Sequence, residues 1–238
     1  MDKLPLMTDI AHALSFTIRR GTTESRETVT LRHGVIAGWT GSDPAAVEHH
    51  IKELEAIGIA RPASVPIFYR VSASRFTQAG IIEVPGDQSS GEVEFALVQH
   101  GGKLYLGCGS DHTERKVEGY NVTVSKQMCE KPLGATLWAY DEVKPHWEKL
   151  VLRSYALERG ERVLYQEGPV TAMRSPEELI RLHTNGRGLE DGTIMFCGTL
   201  AAKGGVRPAP RFEFELEDPV RNLRIRHGYD IAVLPVMG

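Results

Sequence analysis

The stretch that most constrains this chain runs from Ser89 to Gly119, SSGEVEFALVQHGGKLYLGCGSDHTERKVEG. Glu92 to Val98 has the β-branched and apolar content of a strand, with period-two alternation through its first half. Residues two apart on a strand share a face, so Glu92 and Glu94 point the same way. His100-Gly101-Gly102-Lys103 reads as a hairpin turn and Leu104 to Cys108 as the returning strand, which brings Asp111 toward the glutamate pair. Three converging carboxylates repel one another strongly unless a cation sits among them. Ligation by oxygen alone suits a hard divalent ion such as magnesium, manganese or calcium, and not zinc. An isolated E-x-E is more often a solvated face. Here Glu94 leads into an apolar run, and Asp111 precedes the polar cluster His112-Thr113-Glu114-Arg115.

Composition narrows the class of molecule. The chain has 238 residues, enough for one large domain, which we expect to span 1–238 with an N-terminal strand and hairpin portion over 1–34. A hydrophobic share of 41% with 25% charged residues is that of an ordinary globular protein. A net charge of -3 offers no general attraction to nucleic acid or anionic membrane, so neither is expected as a partner. No apolar run approaches the roughly 20 residues of a membrane span, and the N-terminus does not read as a signal peptide. Cys108, Cys129 and Cys197 are odd in number and widely spaced, which points to free thiols in a reducing compartment, the cytoplasm by default.

Along the chain, Leu14–Ile18 and Thr28–Leu31 read as strands around a polar hairpin-like loop, RRGTTESRE, with a third strand over Val35–Trp39. Asp43 then caps a helix that has Pro44 at its first position and a stripe of Val47, Ile51, Leu54 and Ile57. On it His50 and Glu53 stand at i and i+3, the spacing at which a carboxylate can orient an imidazole as a general base. Polar pairs on the wet side of a helix are routine, so the pair alone is weak; His49 faces elsewhere. A strand enters through Pro66, and Glu83–Asp87 reads as a turn. Thr113–Tyr120 reads as a short helical turn, Val122–Lys126 as a strand and Cys129–Gly134 as a loop. Residues 137–158 read as helical or mixed, with Asp141 a possible cap and Trp138 and Trp147 in the core. Glu161–Glu167 reads as a strand, Ser175-Pro176 opens a helix, and Thr193–Cys197 is an apolar strand before Gly198-Thr199. Cys129 reads as a buried thiol, His146 and His183 as surface or core residues, and Trp39 as core or pocket wall.

The order of these features resembles the fumarylacetoacetate hydrolase superfamily, most closely a bacterial branch of it. The resemblance rests on His50-Ile51-Lys52-Glu53, Pro66-Ile67-Phe68, Glu92-Val93-Glu94, Asp111-His112-Thr113-Glu114-Arg115, Lys126 before Pro132-Leu133-Gly134, and Gly198-Thr199. It implies an α+β fold, a mixed β-sheet roll of the C-terminal type of that family with a few peripheral helices, and commonly a homodimer. It implies a magnesium-type ion, with manganese or calcium as alternatives, on Glu92, Glu94 and Asp111. His50 and Glu53 would activate a water, and Lys126 with Arg115 would bind and polarise the substrate. Tyr69, Arg70, Gly198 and Thr199 would line it. The chain departs from the family in carrying Arg70 where a Lys is usual, Trp39-Thr40-Gly41-Ser42 where an Asn-Tyr is usual, and titratable His112 and Glu114 beside Asp111.

The expected activity is that of a metal-dependent hydrolase cleaving a C–C bond in a small oxo- or diketo-carboxylic acid of acylpyruvate type. The metal would stabilise an enolate, and the His50-activated water would supply hydroxide. Decarboxylation, isomerisation or hydration of a similar acid is the alternative, and a ligand-binding relative without turnover the third reading.

Overall fold

The computed structural model describes residues 11–56 and 61–237, apart from the side chains of residues 50, 53, 54 and 56. It opens with β1 (His12–Arg20) and β2 (Thr23–Leu31), a hairpin in continuous register from His12 opposite Leu31 to Arg20 opposite Thr23. The polar segment expected as a loop is therefore mostly strand, and only Gly21-Thr22 turns. Next come β3 (His33–Gly38), α1 (Pro44–Ala56) and β4 (Ile67–Val71). Asp43 caps α1 as expected, its Oδ1 accepting from the Ala45 and Ala46 amides at 2.9 and 3.2 Å. Then follow β5 (Phe76–Thr77), β6 (Ile81–Pro85), β7 (Ser89–Ser90), β8 (Val93–His100), β9 (Lys103–Ser110) and β10 (Thr113–Glu114). Glu83–Pro85, expected as a turn, lies in β6, and only Gly86-Asp87 bends.

The middle of the chain holds α2 (Arg115–Glu118), α3 (Val122–Met128), β11 (Lys131–Pro132), β12 (Thr136–Ala139) and α4 (Tyr140–Val143). The strand expected over Val122–Lys126 is instead helix α3. Its β-branched content favours a strand, but the Asn121 side chain accepts from the Val124 amide at 3.0 Å and starts a helix. Asp141 does not cap α4, which has no side-chain cap. The C-terminal part runs β13 (Val151–Glu158), β14 (Glu161–Pro169), α5 (Pro176–Thr184), β15 (Thr193–Phe196), β16 (Arg211–Asp218) and β17 (Leu223–Leu234). Ser175 caps α5, and Asn185 ends it at φ 52°.

Eight strands form a mixed sheet in the order β2-β1-β12-β9-β8-β15-β3-β4, and five form a second in the order β14-β13-β16-β17-β6. Two cores result. One lies between the sheets, with Val93, Phe95 and Leu97 of β8 facing Leu152, Phe212, Phe214 and Leu216. The other sits on the opposite face, where Phe16, Val29 and Leu31 from one edge meet Tyr69 and Val71 from the other, so the large sheet curls. β8 is buried on both faces, which explains why its alternation fades into an apolar run. The result is a mostly β molecule with a curled mixed sheet and a few helices, compatible with an α+β roll.

A buried polar chain ties the sheets together. Ser110 at the end of β9 and His112 Nδ1 both hydrogen-bond the Tyr229 hydroxyl of β17, at 2.8 and 2.9 Å, and His112 Nε2 reaches Ser89 Oγ at 2.8 Å. Burial first, then the Lys131 and Arg115 charges, push the His112 imidazole down from 6.5 to about 3, so it is a neutral structural link. Below pH 6.5 the unfolded chain takes up a proton that the folded imidazole refuses until about pH 3. This group therefore stabilises the fold above pH 6.5 and less and less as pH falls toward 3. Urea unfolding between pH 6.5 and 5 should show stability falling with pH in the wild type and a flatter slope in His112→Gln. Equal slopes would contradict this role.

Candidate metal centre

The β8–β9 register builds the site. Val93 pairs with Ser110 and Glu94 with Gly109, and the ladder extends one step, where the Asp111 amide donates to the Glu92 carbonyl at 2.9 Å. Glu92, Glu94 and Asp111 therefore share one face, and each offers an oxygen within 4.8 Å of the others. Opposite Glu94 the residue must be small, because a Cβ on Gly109 would collide with the Phe196 ring and the Pro132 carbonyl. Gly198, at φ 101°, turns its amide onto Glu94 Oε2 at 2.5 Å. The adjacent Thr199 hydroxyl donates to the Val93 carbonyl and accepts from Gln166 Nε2, both at 2.8 Å. Gln166 Oε1 in turn accepts from the Val93 amide at 2.9 Å, so the Gly198-Thr199 turn is laced to the start of β8.

Glu94 and Asp111 are fully buried and Glu92 mostly so. Burial, then the Asp111 charge, pushes the Glu94 carboxyl well above the ordinary carboxylate range, with Glu92 adding to the effect and the Gly198 amide opposing it. Asp111 goes the other way. Burial alone would raise it, but the ammonium groups of Lys126 and Lys131 hold it below the usual range. Lys126 Nζ stands 2.5 Å from Asp111 Oδ2 and 3.5 Å from Glu92 Oε2. Burial would lower the Lys126 ammonium, yet Asp111 and Glu92 hold it above its ordinary value, so it is a cation and not a base. Lys131 Nζ lies 2.8 Å from Asp111 Oδ1, so each oxygen of this buried carboxylate faces an ammonium group. Arg115 places Nε on Ser90 Oγ at 2.7 Å and Nη1 on Glu92 Oε1 and Glu118 Oε2 at 3.1 and 2.8 Å.

These residues fit a hard divalent cation. Oxygens about 2.1–2.6 Å from a common ion lie roughly 3–5 Å apart, a spacing the three carboxylates meet. The donors are all oxygen, and Glu94 is buried and crowded by the charges of Asp111 and Glu92.

The other expected site residues fall in different places. Tyr69 is buried on the face of β4 that feels Lys126 and Asp111; burial keeps its hydroxyl protonated, and Trp39 hydrogen-bonds it. Arg70 points from the opposite face of β4, hydrogen-bonds His33 Nδ1 at 3.3 Å and lines a separate cavity of about 430 Å³ with His183 and Arg187. The side chains of His50 and Glu53 lie outside the described residues. Glu114 is buried and caps α2, accepting from the Val117 amide. Cys129 is buried, and burial pushes its thiol up to about 11. Lys131, Ser90, Glu118 and Gln166 are the site residues that sequence reading missed. Of these only Glu118, at i+3 from Arg115, had a detectable signal.

Comparison with known proteins adds a fold likeness. The structure resembles that of Cg1458 (TM-score 0.64, 16% identity, 90% of this chain and 83% of that chain). It also resembles the hexagonal crystal form of 2-keto-3-deoxyarabinonate dehydratase (TM-score 0.66, 18% identity, 86% and 75%). A third neighbour is 2-keto-3-deoxy-D-arabinonate dehydratase complexed with magnesium and 2,5-dioxopentanoate (TM-score 0.61, 18% identity, 85% and 73%). At these identities the likeness is one of fold. No curated protein matches the sequence. A family model covers residues 37–229, and the chain belongs to that family, described as "Protein of unknown function (DUF2848)".

Proposed function

We propose that this chain is a divalent-cation-dependent enzyme acting on a small 2-oxo carboxylic acid, on a fold of the fumarylacetoacetate hydrolase type. The observation that carries this reading is the convergence of Glu92, Glu94 and Asp111 within 4.8 Å at a buried strand end. The fold neighbour complexed with magnesium and 2,5-dioxopentanoate supports it. When bound, a magnesium-type ion supplies a Lewis acid for the carbonyl oxygens of the substrate. Glu92, Glu94 and Asp111 would hold it. Lys126, kept protonated beside Asp111, stabilises negative charge developing on the substrate. Arg115 holds Glu92 through a single Nη1 hydrogen bond and adds positive charge beside the substrate. Tyr69 donates from a protonated hydroxyl, and Gly198 and Thr199 wall the site. His50 and Glu53, on α1, are assigned to activating water.

Within this class our reading is hydrolysis of a C–C bond in an acylpyruvate-like acid. Dehydration is the second reading, favoured by the dehydratase among the fold neighbours. The working unit is proposed to be a single domain over 1–238, assembled as a homodimer. The three cysteines are free and buried, which suits a reducing compartment. Among the described residues no helix is long and apolar enough to cross a membrane.

Turnover of acylpyruvates and 3-deoxy-2-oxo acids, with Mg2+ or Mn2+ and after chelation, tests the proposal. Chelation should abolish activity reversibly, and Glu94→Gln should lower kcat/KM on the order of 10²-fold or more. Turnover indifferent to chelator would refute it. Glu53→Gln tests the role assigned to α1 in hydrolysis. Loss of C–C cleavage with retained keto–enol exchange, followed by NMR, supports hydrolysis. Unchanged cleavage removes α1 from the mechanism.

A further inference from the structure

Lys131 is the least expected member of the site. Its side chain is fully buried, which a lysine tolerates only when paired. Its ammonium contacts Asp111 Oδ1 at 2.8 Å and donates to the His112 carbonyl at 2.6 Å. β11 fixes the backbone there by pairing Lys131 with Phe76 of β5. Asp111 thus meets one ammonium on each oxygen, although Lys126 alone already pairs with it.

The charge balance gives the second lysine a purpose. The site joins four carboxylates (Glu92, Glu94, Asp111, Glu118) to three cations (Arg115, Lys126, Lys131). These ion-paired groups sum to one negative charge, and a divalent ion turns that sum one positive; Glu114, buried as the cap of α2, lies outside the pairing. Without Lys131 the ion-loaded site would carry one positive charge less, and its attraction for an anion would be weaker.

We propose that Lys131 is a specificity-determining counter-charge, which weakens the hold on the divalent cation and gives the ion-loaded site the positive charge that captures the carboxylate of the substrate. The inference rests on the metal-site reading. The test is calorimetric titration with Mn2+ alone, then with pyruvate at saturating Mn2+, on wild type, Lys131→Met, Lys131→Gln and Glu94→Gln. Removing the charge should tighten Mn2+ on the order of tenfold or more and weaken pyruvate by a similar factor. Lys131→Gln, which keeps a donor for the His112 carbonyl, should behave as Lys131→Met does. A lysine with only a structural role would, when removed, weaken both ligands together. Parallel losses, unchanged constants, or failure of both variants to fold would overturn the proposal while leaving the metal site standing. Absence of a wild-type Mn2+ site sensitive to Glu94→Gln would instead overturn the metal reading and this inference with it.

Discussion

Like-charge crowding in a buried place is the constraint on which this structure turns. Glu92, Glu94 and Asp111 are brought together by strand register, two of them fully out of water. An unpaired buried carboxylate is strongly disfavoured, and a trio more so. The protein answers unevenly. Asp111 receives two ammonium groups and Glu92 a guanidinium, while Glu94 has one backbone amide and lies nearest to a neutral, protonated state. A site arranged this way is short of positive charge at Glu94, and a hard cation is the group that its oxygens fit.

The scaffold keeps that arrangement rigid. β8 is packed on both faces, so Glu94 cannot relax outward without disturbing Ala96 and Val98 beside it. Gly198 and Thr199 brace the strand from β15, and Gln166 braces it from the second sheet. Beneath the carboxylates, Ser110, Tyr229, His112 and Ser89 form a satisfied polar chain between the sheets. Lys126 arrives on α3, whose start is fixed by Asn121, so a local cap sets the position of a buried charge.

Much of this was legible in the sequence where local chemistry and tertiary packing agree. The hairpin through Gly101-Gly102 has both glycines at positive φ, and the shared face of Glu92 and Glu94 follows from strand periodicity alone. The Asp43 and Ser175 caps were readable for the same reason. Val122-Thr123-Val124 misled because β propensity is a packing preference, and here the Asn121 cap and the burial of Lys126 override it. Arg70 and Tyr69 are neighbours in sequence but stand on opposite faces of β4, so only Tyr69 lies on the face toward Lys126 and Asp111. Lys131 was illegible because nothing in a loop sequence shows which side chain will turn inward to meet a carboxylate fixed by a distant hairpin.

The central claim is that the carboxylates at 92, 94 and 111 share one cation. Anomalous-difference density from crystals soaked in Mn2+ tests it most directly. The account predicts a single strong peak about 2.2 Å from an oxygen of each of the three side chains. A flat map in that space, with the Lys126 ammonium filling the gap between Asp111 and Glu92, would contradict it.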